Sequence, residues 1–422
     1  MHRRFRTQAW LRRGGAMILL AAGALSAQAQ PASAAASSLS LKQAFDAAWS
    51  RQPEALALAA RRDAARAQSQ AIQSWTPEPA ALEWSNRTDR LSGNHGAREF
   101  QVGVAWPLWL PDERAHRATL AQAEGRAVEG RAAAAQLRIA ATVREAWWQW
   151  QRARIDADIA RDQLDNTRRI ATDVSRRLKA GDLTRADQHQ SDGAVAAAQS
   201  SVAQAQAAIA TAGQQLRGST GLVLATAGTA DATAEPDIDA AATDLDGHAA
   251  LLELIARAAV AESAAALAAA QVRANPELLL AATRDRGSFG DVYQHSLSVG
   301  LRIPFGGGAR HDARTASARA DALEAHAQLA LERDHLIAAR EAARSRVSAA
   351  RDQLAAADRR AELARESRSF FDKSFRLGET DLPTRLRIEA EATDAQRQAA
   401  RVRIELAAAI SASRQALGLL PQ

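Results

Sequence analysis

The sequence predicts an α+β membrane protein in which four short β-strands per chain are joined to very long α-helices. Three observations predict this class: a leader for export, two predicted β-hairpins whose second strands alternate apolar and polar residues, and two long stretches rich in helix-forming residues. In a chain of this kind the strands lie in the membrane, and the helices extend away from it.

The N-terminal residues have the features of a secretory signal peptide. Five arginines precede an apolar stretch at 16–25, which is too short to span a bilayer. Ala27, Gln28 and Ala29 then provide the small residues of a cleavage site. We therefore expect residues 1–29 to be removed and the mature chain to begin near Gln30.

Charge and cysteine content exclude several classes of protein. The chain has 54 Lys and Arg against 48 Asp and Glu, but five of the arginines lie in the leader, which leaves 49 against 48. This near balance gives no reason to expect a nucleic-acid partner. The lack of cysteine excludes disulfides, thiolate metal sites and a lipidated N-terminal cysteine. An exported chain without an apolar run of about 18 residues is periplasmic, secreted or an outer-membrane β-barrel.

Landmark residues recur at an offset of 197, which indicates a tandem duplication. The pairs are Pro79 with Pro276, Pro107 with Pro304, and Gly181 with Gly378. We expect a first repeat at 30–217, a linker at 218–243 and a second repeat at 244–422. Each repeat is predicted to contain a helix, a β-hairpin and a long helical hairpin.

Ala, Arg, Glu and Gln dominate the predicted helices. The segments are 40–75 and 244–273 before the hairpins, 112–179 and 309–377 after them, and 184–217 and 384–417 as the returning helices. A helix over 112–179 is roughly 100 Å long at 1.5 Å per residue. Helices of this length with alanine-rich seams pack as coiled coils.

The second strand of each hairpin has one apolar face. Its residues are Phe100, Val102, Val104 and Trp106 in the first repeat, and Leu297, Val299, Leu301 and Ile303 at the matching positions of the second. Strands of about ten residues with this alternation are typical of a membrane β-barrel, and a soluble half-buried sheet is the alternative. Four tryptophans at or near the first hairpin favour a membrane interface, so we expect these apolar faces to contact lipid.

The strand-to-helix corners are predicted from residues that end strands and permit sharp turns. They are Pro107 and Pro111 in the first repeat, and Pro304, Gly306, Gly307 and Gly308 in the second. Proline removes the next donor of the strand ladder, and glycine permits the backbone angles of the turn. A phosphate-binding loop is disfavoured, because the glycines lack the GK[ST] ending and the first repeat lacks the glycines.

Four strands do not close a barrel, and an open sheet edge in lipid leaves backbone groups unsatisfied. The barrel must therefore be shared among several copies. Two copies would give eight strands and three would give twelve, and physical reasoning alone does not choose between them.

The stretches SLKQAFDAAWSRQPEALALAARRDAARA, NPELLLA, SLSVGLRIPFGGGAR, LKAGDLTRAD and FRLGETD together resemble the TolC-type outer-membrane efflux proteins over essentially the whole mature chain. The resemblance implies a homotrimer with a shared twelve-stranded barrel in the outer membrane and a long α-helical barrel in the periplasm. It also implies a periplasmic adaptor (a membrane fusion protein), an inner-membrane pump of the RND type and contact with outer-membrane lipid. The stretch WPLWLPDER and the short length of the chain resemble the CzcC-like branch, which serves heavy-metal cation pumps.

The resemblance also implies two functional regions at the periplasmic end. The breaks Ala180, Gly181 and Asp182, and Leu377, Gly378 and Glu379, correspond to the adaptor-docking tips. The family's best-known form narrows its entrance with aspartates six and nine residues after the second break glycine, where this chain has Thr384 and Arg387. Asp187 holds the equivalent first-repeat position and Asp381 lies nearby, which makes these four residues the candidate periplasmic entrance.

The sequence contains no catalytic constellation, and its histidines are scattered, so we expect neither an enzyme nor a cofactor or metal site. The favoured function is a passive exit duct for small substrates, with heavy-metal cations such as cobalt, zinc and cadmium as candidates. A duct for drug efflux or for type I protein secretion has the same architecture. A periplasmic coiled-coil structural protein is a third alternative, and it predicts a soluble periplasmic fraction.

Overall fold

The computed structural model describes residues 39–222, 234–237 and 245–422. The predicted leader at 1–29 and most of the predicted linker at 218–243 lie outside the described residues. The elements in chain order are α1 Leu41–Ser50, α2 Pro53–Ala71, β1 Ala81–Thr88, β2 Arg98–Pro107, α3 Glu113–Ala180, α4 Arg185–Thr220, α5 Ala249–Ala270, β3 Glu277–Arg286, β4 Gln294–Arg302, α6 Gly308–Leu377 and α7 Leu382–Ala416. None of the helices among these residues combines the length and the apolar character needed to cross a membrane.

The two long helices dominate the structure, with 68 residues in α3 and 70 in α6. Each packs along the helix that returns from its tip, α3 against α4 and α6 against α7. Their bounds lie within a residue or two of the sequence prediction because helix-forming residues run without interruption up to Gly181 and Gly378.

The prediction of a single helix at 40–75 is wrong, because the structure has two helices there. The first ends at Ser50, and the second begins at Pro53, which is its first residue. Proline lacks a backbone N–H and its ring clashes with the preceding turn, so it is tolerated at a helix start but not in a helix interior. Ser40 and Gln43 close a capping box at the start of α1.

The strands form one antiparallel sheet in the order β1-β2-β3-β4, so the two hairpins pair with each other through β2 and β3. The register aligns Trp84, Val102, Ala282 and Leu297 across all four strands. Cross-strand partners project to the same face of a sheet. The apolar residues of β2 and β4 therefore share one face, as their alternation predicts. Ile303, which was predicted within the strand, directly follows Arg302, the last residue of β4.

The corners between strands and helices differ in the two repeats. The chain turns into α3 through Asp112, which has a φ of 61°, and into α6 through Gly306, which has a φ of 88°. Both angles are left-handed, a conformation that glycine adopts without strain and that aspartate tolerates better than most residues. Gly307 has a φ of −96° and Gly308 begins α6, so only Gly306 among the three glycines has a backbone angle that requires glycine.

The largest apolar core lies around the middle of α3. Trp147 and Trp150 are buried there, with ring centres 5.5 Å apart, and they pack near Phe45 of α1, Leu216 of α4 and Ile404 of α7. This core joins helices from both halves of the chain. Helix propensity alone did not predict this core, although EAWWQWQ is an unusual concentration of tryptophan.

Candidate functional site at the helix tips

Both long helices end in the same hydrogen-bonded turn, at the positions predicted for the tips. Gly181 and Gly378 have φ values of 90° and 81°. Asp182 N donates to Arg177 O at 3.0 Å, and Glu379 N donates to Ser374 O at 3.0 Å. These bonds satisfy carbonyl groups at the helix ends, in the arrangement that commonly uses a left-handed glycine. A Cβ at either glycine would meet no atom within 4 Å, so the backbone angle, not the available space, favours glycine.

The predicted entrance residues Asp187 and Asp381 lie at the starts of the two returning helices, where Asp381 is the N-cap of α7 and Asp187 closes a capping box with Thr184, the N-cap of α4. Asp187 Oδ2 accepts from Thr184 N at 2.9 Å, and Asp381 Oδ1 accepts from Thr384 N at 3.1 Å. Hydrogen bonds to Thr184, the one from its backbone N–H first, lower the pKa of Asp187, and hydrogen bonds to Thr384 lower the pKa of Asp381. Burial and the negative charge of Asp381 act in the opposite direction on the pKa of Asp187, but the hydrogen bonds outweigh them.

The other predicted entrance residues have local roles in the structure. Thr384 supplies the backbone N–H that Asp381 caps. Arg387 Nη1 donates to Glu391 Oε1 at 2.8 Å, one turn further along α7. Exposed pairs of this kind contribute only a few tenths of a kcal/mol to helix stability.

A cluster of charged groups around a buried phenylalanine joins the two tips. Two guanidinium groups contact the ring of Phe375 on α6, that of Arg177 on α3 at 4.7 Å and that of Arg385 on α7 at 4.6 Å from the ring centre. Asp173 Oδ2 lies 3.4 Å from Arg177 Nε and 3.7 Å from Arg385 Nη1. Arg385 Nη2 also donates to Asp372 Oδ1 at 2.6 Å. We call these five residues the tip clasp.

Apolar packing continues beneath the tip clasp. Ile170, Val174 and Leu382 are buried with Phe375 in one cluster. Cations over an aromatic face contribute most where water is excluded, and Phe375 is only 2% exposed. The glycines of the sequence predict the tips but not the clasp, whose one local indication is Phe375, an apolar residue three positions before Gly378.

Leu377 is the exposed apolar residue of the second tip. Its side chain is 75% exposed and directly precedes Gly378. Single exposed apolar residues are common on protein surfaces, and this one lies next to the turn that the sequence predicted as a docking tip.

The sheet has two chemically different faces, as the strand phase predicts. On the apolar face, Leu297 and Val299 are each 71% exposed. On the opposite face, Ser298 Oγ donates to Ala281 O at 3.2 Å, and Arg302 bridges Glu277 and Glu83. An apolar outside and a polar inside are what a membrane barrel requires.

A buried carboxylate fixes the first strand-to-helix corner. Glu113 is fully buried and accepts hydrogen bonds from Leu110 N, Gln271 Nε2 and Asn275 Nδ2, while Arg117 forms an ion pair with it at 3.0 Å. Burial opposes its ionisation, but the hydrogen bonds from Gln271 and Asn275 and the other contacts outweigh burial and lower the pKa of Glu113. The corner of the first repeat is thereby tied to the chain just before β3. Neither the composition nor the periodicity of these segments predicts this contact.

A second buried ionic cluster anchors the chain between the repeats. Glu235 accepts two hydrogen bonds from Arg144 of α3, at 2.8 and 2.9 Å, and lies 3.2 Å from Arg414 Nε of α7. All three side chains are at most 4% exposed. We call these three residues the linker anchor. In the described part of the chain, no group of three or more acidic or histidine side chains is placed to hold a metal ion.

Comparison with known proteins supports the architecture. Residues 44–222 match the model of a family described as outer membrane efflux protein. No curated protein sequence matches the chain.

Solved structures with the same fold cover most of the chain. CusC, studied for its transmembrane channel formation, aligns with a TM-score of 0.71 at 16% identity over 90% of this chain and 92% of its own. VceC, an outer membrane protein of Vibrio cholerae, gives 0.70 at 17% over 90% and 96%. The open-state MtrE outer membrane channel of Neisseria gonorrhoeae gives 0.71 at 14% over 90% and 89%. Similarity at these identities establishes the fold, and the predicted α+β, TolC-like fold is confirmed.

Proposed function

We propose that this chain, which the outer membrane efflux protein family matches over residues 44–222, is the exit duct of a tripartite efflux system. The duct lies in the outer membrane, and its helices extend into the periplasm. Transport through it is passive, and the chain catalyses no reaction. The observation that carries the proposal is a sheet with an apolar outer face that is joined at one end to two helices of 68 and 70 residues.

The duct is a homotrimer in this proposal. Within the described residues, β1 and β4 each pair on one side only, so both edges of the sheet are open. Open edges are not stable in lipid, where no water replaces the missing hydrogen bonds. Three copies with β1 of one chain paired to β4 of the next close a barrel of twelve strands. The apolar residues of β2 and β4, with Ile303, then face the lipid.

The periplasmic tips are the proposed contact with the adaptor. The tip clasp connects α3 to α6 and α7, so the turns at Gly181 and Gly378 lie at the same end of the molecule. An adaptor can therefore contact both turns as one surface, with Leu377 as its apolar element. Asp187 and Asp381 border the proposed entrance, where each also accepts a hydrogen bond at the start of a returning helix. An inner-membrane pump of the RND type completes the system.

We further propose that the chain arose by duplication, with repeats at 30–217 and 244–422. The order of a helix, two strands, a long helix and a shorter helix occurs in each, from α2 to α4 and from α5 to α7, and α1 precedes it in the first repeat. The strand-to-helix corners at Pro107 and Pro111, and at Pro304, Gly306, Gly307 and Gly308, occupy matching places in the two repeats.

For the exported substrate we propose heavy-metal cations such as cobalt, zinc and cadmium, on the basis of the resemblance of WPLWLPDER to the CzcC-like branch. The test compares the tolerance of cells with and without the gene to these cations, with the cell's own adaptors and pumps left intact. Loss of tolerance to these cations alone supports the proposal. Loss of tolerance to organic drugs, or of protein secretion, assigns the duct to one of the alternative systems.

The duct itself is tested by fractionating the same cells. We expect the mature protein in the outer-membrane fraction. Recovery of a soluble monomer after osmotic release of the periplasm would favour the coiled-coil structural protein and overturn the proposed function.

A further inference from the structure

Basic residues gather on the apolar face of the sheet, at the end farthest from the helices. Arg98 starts β2, Arg284 and Arg286 lie at the end of β3, and His295 is the second residue of β4. The register pairs Arg98 with Arg286, and Arg284 with His295, so all four side chains share the face of Phe100 and Leu297. We call these four residues the rim cluster.

Acidic side chains do not neutralise the rim cluster. Glu99 and Asp285 are neighbours in sequence but project from the opposite face, where Glu99 lies 4.0 Å from Arg87. Asp89 and Asp291 accept hydrogen bonds within their own loops. Among the described residues, none of the three rim arginines forms an ion pair with a carboxylate. Like charges placed side by side repel, so this arrangement favours an anionic partner from outside the chain.

Aromatic contacts hold part of the rim cluster in place. The guanidinium groups of Arg284 and Arg286 lie 4.2 and 4.9 Å from the centre of the Tyr293 ring. Arg286 Nε also donates to Gly96 O at 3.0 Å. A guanidinium group has five donors in a fixed plane, so most of the donors of Arg284 stay available after it stacks on the ring.

We propose that the rim cluster binds the phosphate groups of anionic lipids in the outer leaflet of the membrane. The inference rests on the proposed function, which places this face against lipid. Arg98 and Arg284 each lie two residues beyond an apolar side chain of the same face, Phe100 and Ala282, so their heads reach the level where the hydrocarbon ends. Lipid phosphates lie at this level, and arginine binds phosphate with paired hydrogen bonds.

The test uses protein purified from outer membranes in a nonionic detergent and titrated with bisphosphorylated lipid A, with binding measured by native mass spectrometry. The variant is Arg98→Gln combined with Arg284→Gln. It leaves Arg286 in place, because that residue also holds the loop at Gly96. The control is Arg87→Gln, which removes one positive charge, half the change of the double variant, at the same end of the sheet but on the opposite face.

We expect the double variant to bind lipid A at least about tenfold more weakly than the wild type, since two charge-assisted contacts are lost. The control should bind like the wild type, and dephosphorylated lipid A should bind weakly to all three proteins. Equal binding by the double variant, or equal loss in the control, would overturn the proposal. So would saturation of the site by inorganic phosphate alone, since the occupant would then be a free anion.

Export measured in the same cells separates this inference from the proposed function. A double variant that exports normally but has lost lipid A supports lipid binding by the rim cluster. A wild-type protein that binds lipid A through the rim cluster but exports nothing contradicts only the exit duct.

Discussion

The linker anchor gives the sharpest prediction about stability. Replacing Glu235 with glutamine keeps the size of the side chain but removes the only negative charge among the three residues of the anchor. Arg144 then keeps two neutral acceptors, Gln415 Oε1 at 2.6 Å and Leu419 O at 3.0 Å, while Arg414 keeps Pro236 O at 3.1 Å. Among the described residues, the two buried guanidinium groups of the anchor then have no counter-charge within it.

The expected cost follows from the burial of the anchor. Removing one partner of a buried ion pair destabilises a protein by roughly 3–5 kcal/mol, because an uncompensated charge stays in a low-dielectric interior. A chain of this length unfolds with an entropy of roughly 0.8 kcal/mol per degree, so the Tm of Glu235→Gln should fall by roughly 4–6 °C. The assay is thermal unfolding of the detergent-solubilised protein, followed by circular dichroism at a fixed scan rate.

A control variant lies two residues away. Asp237 pairs with Arg351, and both side chains are about half exposed, at 48% and 53%. Exposed pairs contribute roughly 0–1 kcal/mol, so Asp237→Asn should lower the Tm by no more than about 1 °C. If Glu235→Gln unfolds at the same temperature as Asp237→Asn, the linker anchor does not stabilise the fold in the way its burial implies.

Three further predictions concern the sheet, the tips and the corner. Val299→Arg should destabilise the membrane-inserted barrel by roughly 2–4 kcal/mol, because it places a charge on the lipid face, whereas Ser298→Arg should be tolerated. Equal amounts of the two variants in the outer membrane would show that the assigned faces are wrong. The double variant Gly181→Val and Gly378→Val should remain in the outer membrane but cross-link to the adaptor less and export less, because valine is strained at positive φ. Normal export by this variant would show that the two breaks are only turns. The pKa of Glu113 is lowered in the folded protein, so its carboxylate stabilises the fold at pH values above the ordinary pKa of 4.5. This stabilisation is lost as the pH falls from 4.5 through the lowered pKa of the folded state. Urea unfolding should therefore show wild type and Glu113→Gln converging at acid pH, and a constant difference between them would contradict this.

The features that the sequence predicted are those that depend on residues close together in the chain. Helix propensity and the glycines at Gly181 and Gly378 determine where the long helices end, and strand alternation determines which side chains share a face. The error in predicting one helix at 40–75 also has a local cause, because Pro53 begins a new helix.

The features that the sequence did not predict depend on contacts between distant residues. Glu235 lies 91 residues from Arg144, and the position of neither indicates an ion pair. The same holds for Arg177 and Phe375, which meet across two helical hairpins. Which charged or aromatic side chains meet across two helices depends on how far one helix is shifted along the other. Composition and periodicity do not predict this shift.

The closed barrel shared by three copies is the central claim, and a cross-link between the sheet edges tests it most directly. The chain has no cysteine, so only introduced cysteines can form disulfides. Ser85→Cys on β1 is combined with Ser296→Cys or with Ser298→Cys on β4, all on the same face of the sheet. Oxidation of outer membranes should convert at least one pairing into covalent species of two and three chains, with nothing larger on a denaturing gel. A product that stops at two chains would indicate an eight-stranded barrel, and monomers alone in every pairing would contradict the shared barrel.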